Sequence, residues 1–215
     1  MQVKLIATTF AAQSTCAKAA AKCTGARDPE RALRTALASG HESVLEHASF
    51  TFEIDGVSRV LLAQLTRHRI ASFSVVSQRY CRIHDADIIC PETVKERCWE
   101  DNFKRVAKEA VGLYQLMADD NVPYEDARYI LPQGITCSLV MTMNARELRH
   151  FFSLRCCGKA QWETRNLADE MLKHCKRVAP ELFKDAGPGC VRGRCPEKKP
   201  CDKPRKNEME EKTDG

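Results

Sequence analysis

No stretch of the 215-residue sequence approaches the roughly 20 consecutive apolar residues that a membrane-spanning helix needs. The first ten residues carry one lysine, Lys4, and no long apolar core ahead of a small-residue cleavage site, so no secretory signal is expected. The expected location is cytoplasmic, with no membrane partner. Neither G-x-G-x-x-G nor G-x-x-x-x-G-K-[ST] occurs, which leaves the Rossmann and P-loop ways of holding phosphate without support. Aromatic residues are scarce at 7 %, and none lies beyond residue 186. The net charge of +5 permits an anionic ligand but falls short of the concentrated basic balance of a dedicated nucleic-acid binder.

The remaining composition, 43 % hydrophobic and 29 % charged, is that of a globular protein long enough to bury a sizeable core. Twelve cysteines would suggest disulfides in a small secreted domain, but this chain is neither small nor signalled for export. Reduced thiols are the expectation.

Val3, Leu5 and Ala7 alternate with Lys4 and Ile6, a weak strand signal. Asp28-Pro29-Glu30 supplies a cap and a first-turn proline for a helix that ends at Gly40. Residues 49–54 alternate, with Phe50, Phe52 and Ile54 on one face, and a turn is expected at Asp55-Gly56. A helix through Val60, Leu61, Gln64 and Leu65 leads to Arg67. One long helix is expected from about 92 to 118, with Val94, Cys98, Val106, Ala110, Leu113 and Met117 as its apolar stripe. A short helix follows from Pro123, and 136–143 reads as a strand. Asn144 and Glu147 form a capping box, with Glu147 reaching back to the cap, and Leu148, Phe151, Phe152 and Leu154 are the buried side of that helix. A last helix covers about 160–178. From residue 186 onward Pro, Gly, Lys and Glu dominate, so 1–185 is expected to be the folded domain and 186–215 a Cys/Pro/Lys-rich tail, mobile at least past Cys201. Helices and strands interleave without regular βαβ alternation, which points to the α+β class.

Chemistry concentrates between residues 67 and 80, Arg-His-Arg-Ile-Ala-Ser-Phe-Ser-Val-Val-Ser-Gln-Arg-Tyr. Arginine forks match phosphate oxygens in a bidentate way, and serine hydroxyls can complete a cradle. On composition alone a phosphate site and a solvated basic loop are equally good readings. The order of residues carries more. Arg67-His68-Arg69, Ser72, Ser77 and Arg79 fit R-H-R-x-x-S-x-x-x-x-S-x-R. Upstream stand His41-Glu42-Ser43-Val44-Leu45-Glu46-His47, Phe50-Thr51-Phe52 and Gln64. Downstream stand Ala127-Arg128-Tyr129-Ile130-Leu131-Pro132, Asn144-Ala145-Arg146, Leu154-Arg155 and Ala160-Gln161-Trp162-Glu163. In this order, across roughly residues 1–185, the chain resembles the flavin-dependent thymidylate synthases.

The resemblance implies a mixed or antiparallel central sheet flanked by helices, assembled as a homotetramer with active sites shared between subunits. It implies FAD-dependent reductive methylation of dUMP to dTMP, with methylenetetrahydrofolate as one-carbon donor and NADPH as reductant. The cofactor would carry the hard chemistry and the protein would place the reactants. By position, Ser43, Glu46, Arg67, His68, Arg69, Asn144, Arg146 and His150 would meet FAD. Asn144 is equally well explained as a helix cap, and His150 as a packed histidine. Gln64, Arg67, Ser77, Gln78, Arg79, Arg128, Leu154 and Arg155 would hold dUMP. Arg155 is the expected catalytic residue, its guanidinium stabilising charge that develops on the uracil ring; its plainer alternative is a structural ion pair at a helix end.

Ser77 reads as a phosphate ligand, since no neighbouring base would activate it as a nucleophile. Cys156 and Cys157 read as small buried hydrophobes. Many family members have Asn-Glu where this chain has Ser74-Val75, which puts one nucleotide contact in doubt. Cys190, Cys195 and Cys201 have wider spacing than the C-x2–4-C pairs of zinc sites, even with His174 or Cys175 as a fourth ligand, and no metal is assigned. The rival class is a nucleic-acid-binding module using the basic loop. It needs exposed interleaved aromatics, whereas Phe50, Phe52, Phe151 and Phe152 have core spacing.

Overall fold

The computed structural model describes residues 1–83, 87–193, 195–202 and 204–205. Its chain divides into two compact units, residues 1–2, 54–67 and 73–140, and residues 3–53, 68–72 and 141 onward. Among the described residues a four-stranded sheet has the order β1-β2-β4-β3, with β1 Gln2–Thr8, β2 Ser49–Ser58, β3 Ala71–Val75 and β4 Thr136–Asn144. Sheet and helices together make a mixed α/β fold, in which the expected central sheet with flanking helices is present.

The second unit opens with α1, Ala12–Thr24, and α2, Pro29–Ala38. Sequence periodicity misses α1 because its buried face is made of small residues, Ala12, Cys16, Ala17 and Ala20, rather than large apolar ones. In α2 the Asp28 carboxylate accepts from the Arg31 amide at 3.1 Å and Pro29 takes the first turn, as the sequence indicates. The alternation of β2 buries Phe50 and Phe52 completely. Phe50 packs edge-to-face on Phe183, with ring centroids 5.3 Å apart, and Phe183 continues to Phe152 at 6.0 Å. Phe151, Phe152 and Leu148 come from α7, Ala145–Arg155, whose Leu154, expected on the same buried side, is exposed, and Leu167, Met171 and Leu172 come from α8, Trp162–Val178. After the short α9, Pro180–Phe183, Ala186 to Pro188 are buried, and Gly189–Arg192 form a 3-10 turn. Further on, Arg205 makes a bidentate pair with Asp169, both contacts 2.6 Å. The part of the expected mobile tail from residue 206 lies outside the described residues.

In the first unit the fully buried side chains include Ile54, Val57 and Ile135, with Leu61 and Leu65 from α3, Arg59–Leu65, and Tyr114 from α5, Glu100–Asp119. Between them come α4, Glu92–Glu96, and after them α6, Tyr124–Ala127. Two expectations are corrected here. The single helix over 92–118 is two, because Cys98 adopts a left-handed backbone (φ 61°) that the α-helix cannot carry through. That break shifts the buried face of α5 to Ala107, Val111 and Tyr114, leaving Val106 and Leu113 exposed. The turn at Asp55-Gly56 is also absent: β2 runs through it to Ser58, and Gly56 absorbs the irregularity at φ 67°.

Candidate functional site

In the second unit the expected flavin residues come from the 3-10 turn Glu42–His47, the segment before β3, and the junction of β4 with α7. Ser43 and Glu46 lie exposed on the 3-10 turn Glu42–His47, and Glu46 pairs with the exposed Arg146 at 2.5 Å. Arg69 and His150 are exposed as well. His150 is therefore not the packed histidine that was its alternative reading. Asn144 is a cap: its Oδ1 accepts from the Glu147 amide at 2.9 Å.

The other half of the expected capping box does not form. Glu147 turns its carboxylate away from the cap and accepts from His68 Nδ1 at 3.0 Å. The physical reason is burial. Glu147 is 7 % and His68 5 % exposed, and a buried carboxylate needs a partner that the solvent-facing side of a cap does not supply. On the other side of the imidazole, Arg155 Nε donates to His68 Nε2 at 3.1 Å. The Phe151 ring meets His68 edge-on at 5.0 Å, and the His150 ring lies 6.0 Å away. Burial chiefly lowers the His68 pKa; the Glu147 hydrogen bond opposes this and the Arg155 charge reinforces it, so the imidazole is neutral at pH 7. Burial also lowers the Arg155 pKa, though a guanidinium remains charged. Glu147 carries no assignment from the sequence beyond the capping box. The available signal was its place beside Leu148 and four residues before Phe151, on the helix side that those apolar residues mark as buried.

Among the described residues, His68, Glu147 and His150 are the group whose potential metal-ligand atoms lie within 4.8 Å of one another. Both His68 nitrogens already have hydrogen-bond partners, and one of those partners is a cation, so the trio is a poor metal site. The tail cysteines are not in it. Cys175 is fully buried, and both nitrogens of His174 are engaged, with Val3 O and Arg177. All twelve cysteines are free thiols. Cys156 is fully buried as expected, and burial pushes its thiol pKa up; Cys157 is only half-buried. With Cys190, Cys195 and Cys201, Cys157 lines a cavity of about 420 Å³ that also takes in Leu154 and Arg155.

In the first unit lie Gln64 and Arg67, at the end of α3, and the run Ser77-Gln78-Arg79. That run is a tight turn. Ser77 O accepts from the amides of Tyr80 (3.3 Å) and Cys81 (2.9 Å), and Ser77 Oγ accepts from the Arg79 amide at 3.2 Å. The Arg79 guanidinium pairs with Glu125 at 2.5 Å, and Arg128 Nε donates to the Glu125 carbonyl at 3.1 Å. Glu125, which sequence reasoning missed, thus gathers two arginines that lie 49 positions apart in the chain. Gln78 departs from its neighbour, lining a separate cavity of about 180 Å³ with Arg59 and Arg82.

The chain matches the family model described as thymidylate synthase complementing protein over residues 4–181. It is 49 % identical over 178 residues to the flavin-dependent thymidylate synthase of Geobacter sulfurreducens, covering 80 % of this chain and 75 % of that protein. To the Clostridium tetani enzyme of the same name it is 44 % identical over 182 residues, covering 77 % and 73 %. Among solved structures it is similar to the Helicobacter pylori flavin-dependent thymidylate synthase in complex with FAD and dUMP, with a TM-score of 0.72 and 27 % identity over 87 % of this chain and 100 % of that one. The chain belongs to the flavin-dependent thymidylate synthase family.

Proposed function

We propose that this protein catalyses the FAD-dependent reductive methylation of dUMP to dTMP, with methylenetetrahydrofolate as one-carbon donor and NADPH as reductant. The observation that carries the reading is the likeness to a solved relative that holds both FAD and dUMP. The donor set of this chain fits such a cofactor. Arg69, Arg146, Ser43 and His150 all present polar side chains to solvent on one unit. The exposed Arg146–Glu46 pair is worth no more than about 1 kcal/mol and is readily exchanged for a diphosphate oxygen. When bound, FAD would supply the hydride.

The protein's own part is placement and charge. Ser77, Arg79 and Arg128 would take the nucleotide phosphate, with Arg79 exchanging its contact to Glu125 for a phosphate oxygen. Gln64, Arg67, Gln78 and Leu154 would complete the nucleotide site. Arg155 would stand beside the uracil carbonyl and stabilise negative charge as the ring accepts hydride or a nucleophile. Its place as the last residue of α7, at the negative end of the helix dipole, helps hold the cation there. The family resemblance adds a homotetramer with shared sites. Purified protein is expected to be yellow and to release FAD on denaturation; colourless protein that takes up no flavin on incubation with FAD would contradict the reading.

A further inference from the structure

We infer that Glu147 is a positioning residue for the reaction, setting the tautomer of His68 and through it the orientation of Arg155. The inference rests on the proposed role of Arg155. Both hydrogen bonds are present, Glu147 Oε1 to His68 Nδ1 at 3.0 Å and Arg155 Nε to His68 Nε2 at 3.1 Å. Each partner constrains the next. An ionised carboxylate only accepts, so the imidazole proton must sit on Nδ1. Arginine only donates, so Nε2 must offer its lone pair. A neutral imidazole has one donor and one acceptor nitrogen, and this pair of neighbours admits one tautomer. Fixing Nε of Arg155 fixes the plane of the guanidinium, and with it the directions of its two terminal amines.

The enclosure makes the arrangement stiff. His68 and Glu147 are almost fully buried, and the Phe151 ring closes the imidazole face. Without Glu147 the proton could move to Nε2, where it would oppose the Arg155 N–H and turn the guanidinium away. Acidification has the same effect by a different route. Protonated His68 carries N–H on both nitrogens and can no longer accept from Arg155. The charged or titratable groups facing His68 are Glu147, Arg155 and His150, all from α7, with Arg67 and Arg69 as chain neighbours. Of these, Glu147 is the one that favours the protonated imidazole. Its removal therefore lowers the pH at which His68 takes up a proton.

The test uses the full chain loaded with FAD, comparing wild type, Glu147→Gln and Glu147→Ala, with nitrogen-15-labelled histidine for NMR. At neutral pH wild-type His68 is expected as the single Nδ1–H tautomer, and Glu147→Ala is expected to lose that uniqueness. Glu147→Gln is nearly isosteric and carries the kinetic test if the alanine variant does not fold. Its kcat for tritium release from dUMP is expected to fall roughly 10–100-fold, the scale of a misplaced catalytic group, with KM for dUMP little changed. The acid limb of its kcat profile is expected to move to lower pH. A role confined to stability would reduce the folded fraction and leave that limb in place. Wild-type His68 protonated on Nε2 or exchanging between tautomers, or a Glu147→Gln enzyme with wild-type kcat and an unmoved limb, would overturn the inference. An inactive wild type would instead count against the proposed function, while the NMR arm still decides whether Glu147 sets the His68 tautomer.

Discussion

Two side chains assigned to the same nucleotide in the proposed chemistry are held in different ways, and substitution should separate them. Arg155 is fixed by a side chain–side chain hydrogen bond to a buried histidine and would act on charge that exists only in the transition state. Arg155→Ala is expected to lower kcat by about 10²–10³, the cost of removing one oriented donor from a developing anion, with flavin content unchanged. Ser77 caps its own turn through Oγ, and its hydrogen-bond partners are backbone amides, not a base. Ser77→Ala is expected to raise KM for dUMP and to keep measurable turnover. Complete loss of turnover with normal dUMP binding would reinstate Ser77 as a nucleophile. Steady-state kinetics on the two variants, with flavin absorbance as the loading control, makes the comparison. At this scale the sequence was informative where residue order was distinctive: Arg67 to Arg79, Arg128 and Arg155 were all named from it. Glu125 was not, and Glu147 was named only as a helix cap partner, because what makes each matter is a partner 46 or more positions away, Arg79 for one and His68 for the other.

The helix α7 shows most plainly what local sequence can and cannot specify. Its start was legible, since an Asn with a short amide side chain at the head of an amphipathic helix satisfies an amide that the helix leaves without a partner. Where the Glu147 carboxylate points was not, because tertiary burial outbid the local capping contact. Asn144→Ala is expected to cost about 1 kcal/mol in chemical denaturation, whereas Asn144→Asp keeps the cap. If Asn144 is only a cap, the aspartate variant keeps its flavin; if it also contacts the cofactor, flavin content falls although stability does not.

The same helix carries Arg149, 5 % exposed, which donates to Asp185 at 2.7 and 3.2 Å, to Glu42 at 3.0 Å and to Leu182 O at 2.8 Å. Burial raises the Asp185 pKa, but the Arg149 hydrogen bonds and charge outweigh it and hold the carboxyl below its ordinary value. A depressed folded-state pKa gives stability that is fully present above the unfolded-state value near 3.8 and is lost as pH falls through the folded-state value. Asp185→Asn is therefore expected to destabilise the protein at pH 7 and to flatten its stability profile below about pH 4. With Asp185 37 % exposed, the cost should fall between the about 1 kcal/mol of a surface pair and the about 3 kcal/mol of a buried one. Equal slopes for wild type and variant in urea titrations across that acid range would refute it. Elements with large apolar faces, such as β2 and α7, could be read from periodicity. Those built otherwise could not: α1 buries alanine and cysteine, and the break before α5 depends on one left-handed cysteine.

For the whole molecule, α5 leaves Val106, Leu113 and Leu116 between 46 % and 67 % exposed. Burying such a row on another copy of the chain is favourable at about 25 cal/mol per Å², and a homotetramer would provide that cover. Light scattering of the purified protein is expected to give four times the chain mass of 24.2 kDa, and Leu116→Glu to lower it. A verified monomer with full flavin binding and turnover would contradict the shared-site arrangement. The family was legible from the sequence because motifs spread over roughly 1–185 keep their order, and the family match over residues 4–181 agrees with that extent. The division into two compact units was not legible, because β1, β2, β3 and β4 each pass from one unit to the other within their length, at no boundary that composition marks. The central claim, flavin-dependent methylation of dUMP, is tested most directly by tritium release from dUMP labelled at C5. Release from flavin-loaded protein that requires methylenetetrahydrofolate and NADPH together, and that is abolished by omitting either or by stripping the flavin, is the result predicted; no release from flavin-loaded protein with both present would contradict it.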